Sequence, residues 1–275
     1  MTGLDCILVP LDGSERAEAA LSWASALPAQ RVRLLRVCSE HPEGQEAAEY
    51  LDQLAARFRP PGRAIETRIA YGGPAEGIVG DAVDADLIVM STQGAGGGGR
   101  LLFGSVADRV ARHAPTPTLL LRGGHHPVDT QPVRRIVVAL DGSPAAERAL
   151  PLATLLATRL QVPIHFVTVD DQVSPRTDQG HGRDAGDQSA SHGEKSEAYL
   201  EATAASLLAL EIVTSTEVRS GPAAIEVMAA LGTGDLLVVT THGQGAARRW
   251  QIGNVAEKLV RQAAAPVALV RADTP

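Results

Sequence analysis

The chain has 275 residues, with 27 Gly, 17 Pro and 44% apolar residues. That is enough apolar content for a core and too little Gly and Pro for a collagen-like or disordered chain, and at roughly 150 residues per domain the length suggests two domains. Aromatics make up only 3%, so Ala, Val, Leu and Ile must fill the core, and the stacking platforms of single-stranded nucleic-acid binders are disfavoured. The net charge is −7, and no basic run exceeds two residues (Arg134-Arg135, Arg248-Arg249); nucleic acid and anionic membranes are therefore excluded as expected partners.

In chain order, short apolar runs alternate with helical patterns. The first half reads ILVPL (7–11) as a strand, SERAEAALSWASAL (14–27) as a helix and RVRLLRV (31–37) as a strand. Then come QEAAEYLDQLAARF (45–58), helical, AIETRIA (64–70), a strand, PAEGIVGDAV (74–83), helical, and DLIVMS (86–91), a strand. SVADRVARHA (105–114) is a helix and TPTLLLR (116–122) the last strand. The second half follows the same alternation: RRIVVAL (134–140), SPAAERALPLATLLATRL (143–160), PIHFVTV (163–169), SEAYLEATAASLLAL (196–210), EIVTSTEV (211–218), PAAIEVMAAL (222–231), DLLVVTT (235–241), NVAEKLVRQA (254–263) and APVALVR (265–271). Strands that are apolar nearly throughout, separated by helices, predict an α/β fold with a parallel sheet covered on both faces. Ser14 and Ser143 are predicted helix N-caps, and Pro74 and Pro222 are predicted at first helical positions.

The halves repeat one another. Leu11-Asp12-Gly13-Ser14 recurs 129 positions on as Leu140-Asp141-Gly142-Ser143, and Val37 recurs 132 positions on as Val169. Gly73-Pro74-Ala75 recurs at Gly221, Asp86-Leu87-Ile88-Val89 recurs at Asp235, and Gly104 and Arg122 recur 149 positions on as Gly253 and Arg271. The expected division is a first domain over 1–122, a linker over 123–132 and a second domain over 133–275. Most of the extra length of the second half falls in 170–195, DDQVSPRTDQGHGRDAGDQSASHGEK. That run is polar and without periodicity, and is expected to be a flexible surface loop. Cys6 and Cys38 sit in apolar strands and are expected to be small core residues. The first residues carry no basic segment followed by a long apolar stretch, and no apolar run approaches 18 residues, so a cytoplasmic location is expected.

In an open parallel sheet, ligands bind beyond the carboxyl ends of the strands. The loop after the fourth strand runs Ser91-Thr92-Gln93-Gly94 through four further Gly to Gly104-Ser105. Gly lets backbone N–H groups approach an anion, and a helix N-terminus adds donors and the positive end of its dipole. Ser105 is suited both to cap that helix and to donate to a phosphate. The second half offers Thr240-Thr241-His242-Gly243 and Gly253-Asn254, with Arg248 and Arg249 between them; Asn254 is likewise suited to cap its helix.

These stretches resemble the universal stress protein family. Its ATP-binding signature is Gly, two residues, Gly, nine residues, then Gly-Ser or Gly-Thr, and Gly94 and Gly104-Ser105 fit it. Ser91 and Thr240 stand where the signature has its first Gly, and Asn254 where it ends in Ser or Thr. The flanks DLIVMSTQG, GSVADRVARHAPTPTLLLR and VPLDGSERAEAALSWA look like the family, as do DLLVVTTHG, GNVAEKLVRQAAAPVALVR and VVALDGSPAAERAL, so the resemblance covers nearly the whole chain.

The resemblance implies two tandem doubly wound α/β domains of the adenine-nucleotide α-hydrolase-like type, each a five-stranded parallel sheet of order 3-2-1-4-5. It implies ATP, with or without Mg²⁺, as the ligand of one or both. Asp12 and Asp141 would lie near the nucleoside, and Val37 and Val169 would meet adenine through their backbones. Ser91, Gln93, Gly94, Gly104, Ser105 and Val106 would hold phosphates in the first half, and Thr240, His242, Gly243, Gly253, Asn254 and Val255 in the second. It also implies that TPTLLLR and APVALVR adjoin as an intrachain pseudo-dimer, beside any homodimer and unknown protein partners. Read from the residues alone, Asp12 and Asp141 are equally turn residues accepting local N–H bonds, and His242 is equally a solvated loop residue. No catalytic residue and no metal site is assigned. A phosphate-loop lysine, an adenylyltransferase His pattern and a pyrophosphatase loop are all missing, which argues against efficient catalysis. The expected function is ATP binding in a stress-response or signalling protein; the alternatives are a slow ATPase and a scaffold with vestigial sites.

Overall fold

The computed structural model describes residues 3–58, 62–93, 104–122, 133–170, 185–243 and 252–272, with 185–192 as helical backbone. The linker over 123–132 and the loops over 94–103 and 244–251 lie outside them. The first half runs β1 (Cys6–Pro10), α1 (Glu15–Ala26), β2 (Arg31–Cys38), α2 (Gly44–Arg57), β3 (Ala64–Tyr71), α3 (Pro74–Asp81), β4 (Leu87–Ser91), α4 (Ser105–His113) and β5 (Thr118–Leu121). The second runs β6 (Arg135–Ala139), α5 (Pro144–Glu147), α6 (Leu150–Leu160), β7 (Ile164–Asp170), α7 (Ala185–Ser206), β8 (Thr214–Ser220), α8 (Ala223–Ala229), β9 (Asp235–Thr240), α9 (Asn254–Gln262) and β10 (Val267–Val270).

Alternation along the strands decides the layers. Ile7 and Val9 of β1 face one apolar cluster with Leu21 of α1 and Leu51 of α2. Cys6 and Leu8 face the opposite one with Ile78 of α3 and Val110 of α4. Both cysteines are free and buried, as small core residues. The second half repeats this, with Phe166 among the largest fully buried side chains. Within each half all strand pairs are parallel, in the order β3-β2-β1-β4-β5 and β8-β7-β6-β9-β10, so both halves have the order 3-2-1-4-5.

The halves join edge to edge. β5 and β10 pair antiparallel, Val267 with Leu120, Ala268 with Leu119 and Leu269 with Thr118, giving one ten-stranded sheet. The two repeated arginines reinforce the joint. Arg122 Nη1 donates to the carbonyl of Arg261 (3.2 Å) in the last turn of α9, and Arg271 Nη1 to that of His113 (3.5 Å) in the last turn of α4. A cation at a helix C-terminus answers the negative end of its dipole.

Three local expectations change. The stretch 143–160 is two helices, α5 and α6, because Pro151 lacks the N–H that would bond the Glu147 carbonyl one turn back. The expected loop over 170–195 is shorter: Asp170 closes β7 and α7 already begins at Ala185. Its apolar anchoring comes later, at Tyr199 and Leu200. Once that part packs, extension toward the N-terminus adds one bond per residue fixed, even through Gly and Ser. Finally, Pro74 opens α3, whereas Pro222 is the N-cap of α8.

The outer edges differ in chemistry. In the first half Arg33, almost fully buried, bonds Glu66 (3.2 Å) and Asp81 (3.4 Å). In the second, His165 takes the equivalent place on β7, its Nδ1 2.8 Å from Ser215 Oγ and its Nε2 3.0 Å from Glu217 Oε2, while Arg219 Nη1 donates to Glu217 Oε1 (2.5 Å). Burial pushes the Glu217 carboxyl up, but the hydrogen bonds from His165 and Arg219 outweigh it and hold it below the usual carboxylate range.

Ala268 is fully buried at the joint, so Ala268→Asp places an unpaired charge there and is expected to cost about 3 kcal/mol or more in urea unfolding. Because the pKa of Glu217 is depressed on folding, its contribution is present above its unfolded pKa and is lost as pH falls through the lower folded value. Urea titrations between pH 7 and pH 3 are expected to show a weaker acid-limb loss of stability in Glu217→Gln than in the wild type.

Candidate functional site

The site is built where β1 ends. In a β-ladder the N–H and C=O of one residue point the same way, and successive residues alternate between the two neighbouring strands. Leu11 N donates to Leu35 O (2.8 Å), so Leu35 faces β1; Gly72 N donates to Cys38 O (2.9 Å), so Cys38 faces the β3 side. Val37, two residues beyond Leu35, therefore turns its N–H and C=O toward β1 as well. The last β1–β2 pair is Pro10 with Leu35, and the chain has left the ladder by Asp12. Among the described residues, the amide and carbonyl of Val37 thus have no strand partner above the end of β1. The second half reproduces this: Leu140 N donates to Val167 O (2.9 Å) and Gly221 N to Asp170 O (3.3 Å), so Val169 presents the same pair of groups above β6. A donor and an acceptor side by side on one strand edge suit a heterocycle edge.

Asp12 and Asp141 stand at the rim of these openings. Asp12 Oδ1 accepts from Ser14 N (3.0 Å) and Ser14 Oγ (2.5 Å), and Asp141 Oδ1 from Ser143 N (3.0 Å) and Ser143 Oγ (2.6 Å). Both therefore do make the local turn bonds open to such residues, while both remain exposed. Each serine also caps its helix as expected, accepting from Ala17 N (3.2 Å) or Ala146 N (3.1 Å). The carboxylates are thereby fixed by helices α1 and α5. Burial, and then the Glu147 carboxylate, push the Tyr199 phenol up to about 12. Tyr50 is raised by burial and by Glu18. Both phenols so remain protonated and donate to Glu147 and Glu18 (3.1 Å each), tying α7 to α5 and α2 to α1.

The phosphate-side residues lie on neighbouring elements. β4 pairs with β1, and β9 with β6. Beyond Ser91, Thr92 N donates to Leu121 O (2.7 Å), and the chain returns so that Gly104 N donates to Thr92 O (2.8 Å). Thr241 and Gly253 repeat the pattern at 2.8 and 2.7 Å. Helices α4 and α9 consequently start directly above the ends of β4 and β9, with their N-termini toward the opening. Gly104 and Gly253 are their N-caps, and no side chain caps either helix. Ser105 and Asn254 thus stand at the first helical position and are exposed, not at the cap the sequence suggested. The cause is the close return of the chain: a Cβ at Gly104 would lie 2.8 Å from the Thr92 carbonyl oxygen, and one at Gly253 3.3 Å from that of Thr241. Val106 and Val255 follow in the first turn, Val255 with its side chain exposed.

The remaining expected residues divide the halves. Ser91 Oγ accepts from Gln93 N (3.3 Å), leaving its own proton to donate, and Gln93 is buried. Thr240 Oγ1 instead donates to the His242 carbonyl (2.7 Å), so its proton is spent within the loop. His242 Nδ1 lies 3.0 Å from Thr241 Oγ1. Gly243 abuts Asp141 so closely that a Cβ there would overlap Asp141 Oδ2, which brings the loops after β6 and β9 into contact. Gly94, Arg248 and Arg249 lie outside the described residues. Among the described residues no three His, Cys, Asp or Glu gather as a metal site, and no helix is long and apolar enough to cross a membrane.

Sequence reasoning passed over two residues here. Gly77 of α3 lies against Val37, where a Cβ would come within 2.8 Å of Cγ1; it lets the helix sit on the strand end. Arg36 beside Val37 reaches back to the Leu11 carbonyl (3.3 Å). Its sequence signal, a charge in a strand that also carries Arg31 and Arg33, does not set it apart.

The close return at Gly104 gives a graded expectation. Gly104→Ala must displace backbone and is expected to cost about 1–3 kcal/mol, as overpacking does, and more than Gly253→Ala; thermal or urea unfolding of the two variants measures the difference.

Comparison with known proteins agrees with this fold. The sequence model of the universal stress protein family matches twice, over residues 4–122 and 132–271. A universal stress protein from Thermus aquaticus is 35% identical over 133 residues, covering 42% of this chain and 97% of the relative. One from Methanocaldococcus jannaschii is 42% identical over 141 residues, 42% of this chain and 81% of the relative. Each relative therefore corresponds to a single half. The crystal structure of a universal stress protein from Archaeoglobus fulgidus superposes over 98% of this chain and 99% of its own with a TM-score of 0.75 at 20% identity, a likeness of fold. With the family matched on both sides of the β5–β10 joint, the chain belongs to the universal stress protein family as a tandem, two-domain member.

Proposed function

We propose that this chain is a cytoplasmic stress-response or signalling protein that binds ATP beyond the carboxyl ends of its strands, in one or both halves. The observation that carries the reading is the pair of backbone groups of Val37, repeated at Val169, without a strand partner among the described residues two residues past the end of the adjoining strand. An adenine edge, with a ring nitrogen acceptor and an exocyclic amine donor, matches an adjacent N–H and C=O. The uncapped N-termini of α4 and α9 lie across the same opening, where backbone N–H groups and the helix dipole favour phosphate oxygens. Asp12 and Asp141, anchored by their serines at the strand ends, are the carboxylates that would meet a ribose or a phosphate-bound Mg²⁺. Binding, with partner contacts that change on occupancy, accounts for these groups.

The first half is the stronger site on this reading, because the Ser91 hydroxyl keeps a proton to donate whereas that of Thr240 is committed to its own loop. Titration calorimetry of the full chain with ATP and Mg²⁺ is expected to resolve binding that weakens at least roughly ten-fold in Ser105→Asp, which puts a carboxylate at the exposed first position of α4, where an acidic side chain suits the helix but repels phosphate. If the wild type takes up none of ATP, ADP or AMP, the proposal fails.

A further inference from the structure

The two halves differ at the residue just before the adenine-facing valine. In the first half it is Arg36 and in the second Thr168, 132 positions on. Both tie the strand to the turn beside it in the same way. Arg36 Nη1 donates to the Leu11 carbonyl (3.3 Å), and Thr168 Oγ1 to the equivalent Leu140 carbonyl (2.8 Å). A threonine hydroxyl has one proton and is satisfied by this bond, and Thr168 is buried. A guanidinium has five N–H donors in a planar fork, and one is used. Among the described residues Arg36 forms no ion pair and no other hydrogen bond; its remaining contact is with the face of Tyr50, 5.8 Å from Cζ to the ring centre.

The place of that fork is specific. Arg36 Nη1 lies 3.3 Å from where a Cβ on Gly13 would stand, and Gly13 has φ +83°. The guanidinium is therefore directly beneath the Asp12-Gly13 turn, on the face of the sheet covered by α1 and α2. Phosphates on the 5′ side belong to the N-terminus of α4, on the β4 side of β1. Arg36 lies on the opposite, β2 side, next to the residue proposed to meet adenine. An anion seated by Arg36 thus belongs to the nucleoside end of the ligand. In doubly wound dinucleotide sites, the same exchange of a polar residue for arginine near the ribose accommodates a phosphate on a ribose hydroxyl.

We propose that the first half, and not the second, takes an adenine nucleotide carrying an additional phosphate monoester on the 2′ or 3′ ribose hydroxyl, recognised by the fork of Arg36. This rests on the nucleotide-binding reading above and names the ligand class for one of its two sites. Arg is suited to such a group because it meets phosphate through two parallel N–H bonds.

The test is titration calorimetry of the full chain with AMP, adenosine 2′,5′-bisphosphate and adenosine 3′,5′-bisphosphate, on the wild type, Arg36→Gln and Arg36→Lys. In the wild type, one class of site is expected to bind one bisphosphate roughly ten-fold or more tightly than AMP, the worth of one or two charge-assisted hydrogen bonds. Whichever isomer wins identifies the hydroxyl. In Arg36→Gln the ratio is expected to fall to about two-fold or less, and in Arg36→Lys, which keeps the charge but loses the fork, to lie between. Thermal unfolding of each variant shows that the fold is kept; where Arg36→Gln is too unstable to measure, the intermediate ratio in Arg36→Lys decides. Equal binding of AMP and both bisphosphates by the wild type, or a preference that survives both substitutions, overturns the proposal while ATP binding stands. Failure of AMP and ATP alike to bind overturns the nucleotide reading and this proposal with it.

Discussion

Everything about the arrangement of this molecule depends on the antiparallel pairing of β5 with β10. A five-stranded parallel sheet has two edges, each a row of unpaired N–H and C=O groups. Pairing the fifth strands removes one edge from each half at once and makes the ten strands continuous. Since the strands within each half are parallel and the joint is antiparallel, the carboxyl ends of the two halves point in opposite directions. The two candidate sites therefore lie at opposite margins of one sheet, while the helices that begin at them, α4 and α9, end near each other's domain. Arg122 and Arg271 occupy those ends. Each leaves its own strand and bonds the last turn of the other half's helix, so the helix is held from its own domain at the start and from the neighbouring domain at the finish.

The opening itself is a consequence of unequal strand lengths. β1 and β6 stop at Pro10 and Ala139, and their neighbours continue to Cys38 and Asp170. A backbone left unpaired in the interior would cost the loss of its hydrogen bonds. Here Val37 and Val169 lie at the sheet margin, where solvent or a ligand can satisfy them. The helix N-termini across the opening are in the same condition, since Gly104 and Gly253 bring no side chain to cap them and the close approach to Thr92 and Thr241 leaves little room for one. Among the described residues, a strand edge without a partner strand and a helix N-terminus without a side-chain cap thus flank a carboxylate anchored by its serine. On the proposed reading the scaffold carries its candidate binding geometry in its backbone, which leaves the side chains around it free to differ.

How far the sequence discloses this follows from that division. The repeat offsets place both halves, and the nearly all-apolar strands require a parallel sheet with two covers, which the alternation of Ile7 and Val9 against Cys6 and Leu8 confirms. The strand order and the joint are different: nothing in periodicity distinguishes 3-2-1-4-5 from other doubly wound orders, and both came from resemblance. The residues that carry chemistry through side chains, Asp12, Asp141, Ser14 and Ser143, are recognisable by type and position. The backbone direction of Val37 is not, because it depends on where the neighbouring strand ends. Nor is the start of α7, whose first turns follow from packing further along, or the place of Ser105 and Asn254 one step inside their helices. That step is decided by a main-chain return that no local pattern encodes.

The divergence between the halves then has a physical order. Positions that hold the main chain are kept in both: Gly104 with Gly253, Asp12 with Asp141, Ser14 with Ser143. Three positions near the strand ends where the side chain is not needed to hold the main chain differ, Ser91 from Thr240, Ser105 from Asn254 and Arg36 from Thr168. Thr240 and Thr168 both turn their hydroxyl protons back onto carbonyls of the chain, whereas Ser91 and Arg36 keep donors in reserve. A polar group that bonds its own backbone stabilises a loop and adds little to a ligand, and one with spare donors does the reverse. The second half is accordingly the more self-contained of the two, and the first the better prepared to gain from an anionic ligand.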